Sequence, residues 1–156
     1  MLLRRKAISL NMIPFSRQEL VRAYRGAYNA SKVIPRSNAH RLLLFYAAEC
    51  GLKAIWLRQQ SKEILDIPIL ASDRPVQHDL NKMIDLLRLG KERLLPSEIL
   101  LPDLKLSGGQ FLPRKHSSGE LNQAWRYGGN LSAPHSDKIF EAALETLNTW
   151  IEKELR

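Results

Sequence analysis

Arg126 and His135 are the two residues whose side chains best fit phosphoryl-transfer chemistry. A guanidinium can hold a phosphate through two hydrogen bonds and stabilise transition-state charge, while an imidazole can transfer a proton near neutral pH. Gly128 and Gly129 let the backbone approach a ligand closely, and Ser136 opens a predicted helix whose free N–H groups attract phosphate. We therefore predict a phosphate clamp at Arg126 and proton transfer at His135. A capping turn without chemistry is the alternative.

A second group of candidate residues combines basic and aromatic side chains. Arg114, Lys115 and His116 form a basic run with Phe111 nearby, and Tyr127 follows later in the chain. Basic side chains beside aromatic rings can bind backbone phosphates and stack on unpaired bases. We predict that this group binds phosphate and bases, the alternative being a solvated loop without a ligand.

A third group centres on Glu49, which falls on the apolar stripe of a long predicted helix. A buried carboxylate without a partner is costly, so a pairing group must lie close to it. Lys53 follows one helical turn later, in the favourable Glu-before-Lys order. His78 and Asp79 open a later predicted helix. We predict that these four residues form a polar network lining a cleft; a purely structural ion pair is the alternative.

The charge balance favours a polyanionic partner. The chain of 156 residues contains 24 Lys and Arg against 16 Asp and Glu, which gives a net charge of +8. Strongly basic proteins commonly bind nucleic acids or other anions. A basic surface that only confers solubility is the alternative reading.

Cofactor, metal and membrane classes are not indicated by the sequence. It contains no Gly-Lys-Ser/Thr phosphate loop, dinucleotide fingerprint, nucleophile elbow or metal-binding His/Glu pair, so we expect no cofactor and no metal. Cys50 is the only cysteine, which excludes an internal disulfide and indicates a reducing compartment. No apolar run approaches the roughly 20 residues of a membrane span, and the N-terminal one is too short for a signal peptide. We therefore expect a cytoplasmic protein without membrane contact.

Apolar periodicity and capping signals predict the elements that must position these residues. Four main helices are expected: from Ser16 to before Pro35, from Asn38 to Gln60, from Gln77 to Leu89, and from Ser136 onwards. The stretch between Pro96 and Pro134 is rich in Gly, Ser and Pro and is predicted to be irregular. Two short helical pieces are expected within it, around Ser97 to Leu101 and Glu120 to Tyr127.

These elements predict an all-α fold, an up-and-down bundle of roughly four to five helices with one long irregular connection before the last helix. Residues 1–15 are expected to form an N-terminal extension and residues 16–156 a single helical domain. The best candidate for a strand, Lys105 to Leu112, is a weak one.

The run "FYAAECGLKAIWLRQ", followed by "HDLNKMIDLL", resembles the HEPN domain family. The similarity extends from His40 to Leu87, with weaker support from "WRYGG" and the final helix. The resemblance implies a compact helical bundle of the kind found in prokaryotic toxins, antiviral systems and nucleotidyltransferase-associated proteins. It also implies a dimer in which two copies of a motif face one composite cleft.

Many HEPN domains are metal-independent ribonucleases that carry an Arg, a short polar spacer and then a His. Arg126 and His135 lie farther apart than that pattern, and two earlier Arg–His pairs lie closer together. Two interpretations follow. The chain is an RNA-directed protein, such as a ribonuclease of a toxin–antitoxin or antiviral system, or it is an inactive adaptor that docks onto an antitoxin, nucleotidyltransferase, nuclease or ATPase. A DNA-binding bundle is less favoured because no helix-turn-helix signature is present.

Overall fold

The structure, a computed structural model, describes residues 12–156, in which five α-helices combine with three small antiparallel sheets. The helices are α1 (Arg17–Ser31), α2 (Asn38–Gln59), α3 (Leu80–Leu86), α4 (Leu121–Arg126) and α5 (Asp137–Glu154). The strands pair as β1 (Phe15–Ser16) with β2 (Ile64–Leu65), β3 (Leu70–Ala71) with β4 (Arg74–Pro75), and β5 (Glu98–Lys105) with β6 (Phe111–Ser117).

The prediction of an all-α bundle is wrong, because the segment expected to be an irregular connection contains a long β-hairpin. β5 and β6 pair from Glu98 with Ser117 to Lys105 with Phe111, and the register shifts between Leu101 and Leu104. The short helix expected around Ser97 to Leu101 is therefore a strand. The fold is mixed α and β.

Prolines and glycines explain why this segment forms a hairpin. Pro102 and Pro113 lack the N–H that a helix interior requires, whereas a strand with only one neighbour tolerates proline beside an irregularity. Gly108 and Gly109 supply the turn, and Gly109 has a φ of 82° that favours glycine. The leucines of β5 were therefore a misleading helical signal.

The other helix predictions are close to the observed elements. Ser16 caps α1 in a capping box: its Oγ accepts from the Glu19 N–H at 3.1 Å, and its own N–H donates to Glu19 Oε1 at 3.0 Å. The short helix around Glu120 to Tyr127 is confirmed as α4, and α5 begins after Ser136 as expected. α3 is shorter than predicted because Asp79 caps it and Arg88 adopts a positive φ of 55° after it.

The predicted N-terminal extension lies mostly outside the described residues. Residues 1–11 are not described, while Phe15 pairs with Leu65 and so joins the folded part of the chain. Among the described helices, none is long and apolar enough to cross a membrane.

The core forms around α2, which is covered by α1, α4 and α5. α1 contributes Leu20, Tyr24 and Tyr28 at helical spacing. α5 contributes an equivalent stripe that includes Phe140 and Ile151. Burial of these apolar faces, at about 25 cal/mol per Å² of surface removed from water, is the main stabilising contribution.

One buried polar residue joins three helices. The side-chain amide of Asn148 donates to the carbonyl oxygens of Leu44 at 3.1 Å and Leu144 at 2.9 Å. The Tyr24 hydroxyl donates to the Asn148 carbonyl at 2.9 Å. These bonds fix α1, α2 and α5 in one register, because each buried polar group would otherwise lose its partner.

Gly51 of α2 packs directly against side chains of α5 and α1. A Cβ atom at this position would lie 2.5 Å from Ile151 Cγ2 and 3.1 Å from Tyr24 Cδ2. Gly26, in α1, has no atom within 4 Å of such a Cβ. We expect Gly51→Ala to be less stable than Gly26→Ala by about 1–3 kcal/mol, because both gain the helix propensity of alanine and only the first overpacks the core.

Urea unfolding monitored by circular dichroism measures this difference in the free energy of unfolding. Equal stability of the two variants would contradict the helix packing described for α2 and α5.

Candidate functional site

One side of α2 carries the polar residues of the candidate site. Tyr46, Glu49 and Lys53 are spaced by three and four residues, so they follow one another along the same face of the helix. His78, from the loop before α3, and Arg126, from the end of α4, reach this face. We call these five residues the His78 cluster.

Glu49 is the centre of the His78 cluster. Glu49 is only 6% exposed. Its Oε1 atom lies 2.7 Å from His78 Nδ1 and 3.0 Å from Lys53 Nζ. The polar network predicted among these three residues is therefore present as direct contacts. The His78 side chain is 50% exposed, so solvent reaches a ring that a buried carboxylate orients.

The pKa values of this pair move in opposite directions. Burial raises the pKa of Glu49, but the hydrogen bond from His78 and the charge of Lys53 outweigh it, so the pKa lies below its ordinary 4.5. The hydrogen bond to Glu49 raises the pKa of His78 above its ordinary 6.5, against burial and the positive charges of Lys53 and Arg126. The structure thus favours a carboxylate paired with an imidazolium.

Arg126 joins the same face of α2 through Tyr46. Its NH2 group donates to the Tyr46 hydroxyl at 2.6 Å, and the Arg126 side chain is exposed. Hydrogen bonding to Tyr46, and then to Tyr127, raises the pKa of Arg126. The charge of Arg126 also lowers the pKa of His78, so the two cationic groups lie within electrostatic range of each other.

His135 lies among other residues than those that Arg126 contacts. Its ring packs edge-on against Phe140, with 6.4 Å between the ring centroids, and it lines a small cavity of about 80 Å³ beside Ser97 and Glu98. Among the described residues, we find no hydrogen bond between Arg126 and His135. The predicted pair is thus not brought together in direct contact, whereas Arg126 and His78 belong to one cluster.

Several other predicted site residues have clear structural roles. Asp79 caps α3 through a hydrogen bond from the Lys82 N–H at 3.1 Å. Ser136 is the N-cap residue of α5, and its carbonyl accepts from the Phe140 N–H at 3.3 Å. Lys115 pairs with Glu98 at 3.3 Å.

The double glycine also has a structural explanation. Gly128 has a φ of 80° directly after α4, and the Gly129 N–H donates to the Ala124 carbonyl at 2.7 Å. A Cβ on Gly129 would lie 2.6 Å from Leu101 Cδ2. Both glycines therefore end α4 and pack it against the hairpin.

A larger cavity, of about 460 Å³, lies between the β5–β6 hairpin and α4, and we call it the hairpin cavity. It is lined by five of the predicted phosphate- and RNA-binding residues, namely Arg114, His116, Tyr127, Gly128 and Gly129. His116 is held by Glu120, with 2.9 Å between Nδ1 and Oε2. Tyr127 connects this cavity with the His78 cluster through its proximity to Arg126.

Tyr46 was missed in the sequence analysis, although its position carried a signal. It lies three residues before Glu49 and seven before Lys53, a spacing that puts all three on one helix face. Its aromatic character suggested core packing, whereas the hydroxyl is the acceptor for Arg126.

Two further chemistries find little support at this site. Burial raises the pKa of Cys50, and the neighbouring Glu49 raises it further, so its thiol is a poor nucleophile. Within residues 12–156, no group of three or more His, Cys, Asp or Glu side chains is arranged to hold a metal ion.

Comparison of the chain with protein-family models, curated proteins and solved structures found no match. The likeness to HEPN domains therefore stays a prediction from the quoted sequence segments. The assignment of function depends on the site geometry.

The pKa of His78 provides a direct test of its pairing with Glu49. We expect an NMR titration to give a midpoint above 6.5 in the wild-type chain and a lower midpoint in Glu49→Gln, because the accepting carboxylate is the largest cause of the shift. Glu120→Gln removes the same charge from a residue that pairs elsewhere. An identical shift of the His78 midpoint in both variants would contradict the assigned pairing.

The same pair predicts a pH window for stability. The contribution of His78 to the free energy of unfolding is complete below the pKa that His78 has in the unfolded chain. It is lost as the pH rises through the higher pKa that His78 has in the folded chain. The contribution of Glu49 to the free energy of unfolding is complete above the pKa that Glu49 has in the unfolded chain. It is lost as the pH falls through the lower pKa that Glu49 has in the folded chain. We expect His78→Gln to lower the free energy of unfolding most between about pH 4.5 and 6.5. The loss should be at most about 1 kcal/mol because His78 is half exposed.

Urea unfolding of both chains across this pH range measures the cost. A cost that grows steadily above pH 6.5 would have the wrong sign for this pair.

Proposed function

We propose that this chain is a HEPN-like, RNA-directed protein that cleaves RNA without a metal ion at the His78 cluster. The observation that carries the proposal is that His78 and Lys53 both contact the buried carboxylate of Glu49, while Arg126, bound to Tyr46 on the same face of α2, acts electrostatically on His78. When His78 is protonated, three positive groups outnumber one negative group. The cluster therefore favours an anion such as an RNA phosphate.

The side chains of the cluster fit the transesterification of RNA. The 2′-hydroxyl oxygen attacks the adjacent phosphorus, the bond from phosphorus to O5′ breaks, and a 2′,3′-cyclic phosphate and a 5′-hydroxyl form. The 2′-hydroxyl releases one proton and O5′ takes up one proton, so no co-reactant is required. In this proposal protonated His78 donates to O5′, while Arg126 and Lys53 stabilise the phosphate charge.

The remaining proton transfer requires a base at the 2′-hydroxyl. We assign it to the deprotonated fraction of His78 in a second copy, a fraction that the pairing with Glu49 makes smaller, because HEPN-like proteins commonly form a composite cleft between two copies. Homodimerisation is thus part of the proposal, as are a cytoplasmic location and a role in a toxin–antitoxin or antiviral system.

The hairpin cavity supports RNA as the substrate. It offers Arg114 for phosphate contact and Tyr127, which is 77% exposed, for base stacking. Because Tyr127 also neighbours Arg126, a nucleotide bound in the hairpin cavity would lie next to a phosphate at the His78 cluster.

One observation favours an inactive adaptor as the second candidate. The tip of the β5–β6 hairpin exposes four apolar side chains, with Phe111 exposed by 63%. The others are Leu104, Leu106 and Leu112. An apolar projection of this kind fits a protein partner, such as an antitoxin or a nucleotidyltransferase.

Cleavage of labelled total RNA in EDTA tests the proposed reaction. We expect the wild-type chain to produce 2′,3′-cyclic phosphate ends, and expect His78→Asn and Arg126→Gln each to lower the rate by about 100-fold or more. Tyr46→Phe, which removes only the acceptor for Arg126, should have a smaller effect.

Two matched variants make this experiment decisive. His135→Asn distinguishes the two histidines. A lower cleavage rate in His135→Asn together with an unchanged rate in His78→Asn would assign the proton transfer to His135. Lys138→Gln removes an exposed charge from α5 and should leave the rate unchanged. RNA retention without any cleavage would contradict the ribonuclease and indicate an RNA-binding module, whereas neither cleavage nor retention would favour the adaptor.

A further inference from the structure

A cleft rich in arginine lies on another side of the molecule. It has a volume of about 550 Å³ and is formed by α1, the last turns of α2 and the residues that follow α5. We call it the arginine cleft. Its lining comprises Arg17, Gln18, Val21, Arg22, Arg25, Ala54, Arg58, Leu155 and Arg156.

The sequence of α1 explains how the cleft obtains its charge. Gln18, Arg22 and Arg25 are spaced by four and three residues, so they occupy one helix face. Leu20 and Tyr24 lie on the opposite, buried face. Folding the apolar stripe of α1 onto α2 therefore holds Arg22 and Arg25 at the surface.

The arginines of the cleft differ in how they are paired. Arg17 pairs with Glu63 at 3.0 Å and Arg58 with Glu154 at 3.0 Å, both at the surface. Within residues 12–156, Arg22 and Arg25 form no salt bridge, and no carboxylate side chain lines the cleft. Glu152 lines the neighbouring groove together with Arg25.

Elsewhere in the chain, arginines pair closely with acidic residues. Arg36 and Arg41, before and within the first turn of α2, are largely buried and form ion pairs with Glu141 and Glu145 of α5. The contrast shows that the charges of Arg22 and Arg25 have no equivalent role in joining helices.

From this geometry we infer that the arginine cleft binds the phosphodiester backbone of RNA, without reading its sequence. Guanidinium groups match phosphate through two parallel hydrogen bonds, and a concave surface with several of them follows a strand better than a flat membrane. Among residues 12–156, no aromatic side chain lines the cleft, so we assign it no base stacking. Val21 and Ala54 instead offer small apolar surfaces for the sugars.

The arginine cleft is separate from the His78 cluster. Ala54 follows Glu49 by five residues, which corresponds to a rotation of about 140° around the axis of α2. An RNA strand that contacts both regions must therefore pass around the bundle. This inference takes RNA from the proposed function, but it is tested by binding and does not depend on cleavage.

Binding of a fluorescein-labelled 2′-O-methyl oligonucleotide tests the cleft without any cleavage, because its 2′ oxygen cannot attack. We expect Arg22→Gln/Arg25→Gln to weaken binding on the order of tenfold and to lower the slope of log K against log salt by about 0.7 for each lost phosphate contact. Lys82→Gln/Lys138→Gln removes the same total charge from exposed positions outside the cleft and serves as the matched control.

Each outcome decides the inference. Weaker binding with a reduced salt slope in the cleft variant alone supports it, provided that circular dichroism shows an unchanged fold. Equal effects in the cleft and control variants would mean a general charge effect and would overturn it, as would unchanged binding. Tighter binding of a glutamate-rich peptide, lost in the cleft variant, would identify an acidic protein segment instead of RNA.

The failure of this inference can be distinguished from failure of the proposed function. If the cleft variant weakens oligonucleotide binding while the wild-type chain cleaves no RNA, the cleft stands and the ribonuclease fails. If the cleft variant binds normally while the wild-type chain cleaves RNA, the ribonuclease stands and the cleft fails.

Discussion

The burial of α2 is the constraint on which the rest of the structure depends. Most of its apolar residues have no exposed surface, so α1, α4 and α5 must cover it on several sides. Two of its residues then limit how this can happen. Gly51 leaves room for Ile151 of α5. Glu49 takes a positive partner from outside the helix, His78, in addition to Lys53 of α2, because a buried carboxylate without partners is costly. The packing of the core and the assembly of the polar site are thus consequences of one helix.

The basic residues divide into two groups that follow from this packing. Arg36 and Arg41 join α2 to α5 through ion pairs with acidic residues. Others, including Arg126 and Arg22, remain at the surface, where no carboxylate neutralises them fully. The net charge of +8 is therefore spread unevenly. Exposed basic side chains occur at the His78 cluster, the hairpin cavity and the arginine cleft, and these are the surfaces for which we propose an RNA ligand.

Local signals predicted the helices well because each signal acts within a few residues. The capping box of Ser16 and Glu19 and the apolar spacing of α5 required no knowledge of the fold. The β5–β6 hairpin was predicted only through the weak strand candidate Lys105 to Leu112, because the leucines of β5 also suit a helix. Pro102 and the glycine turn were visible in the sequence, but only pairing with β6 made the strand the favourable state.

By itself, the sequence determined the main helices, the basic charge and the need of Glu49 for partners, because periodicity, composition and the cost of a buried charge are properties of short segments. It also placed Lys53 beside Glu49 through helical spacing. Only the tertiary structure decided that His78 supplies the second partner and that Arg126 binds Tyr46 on the same face of α2. Such contacts join residues far apart in the chain, and the packing of α3 and α4 on α2 sets their distances.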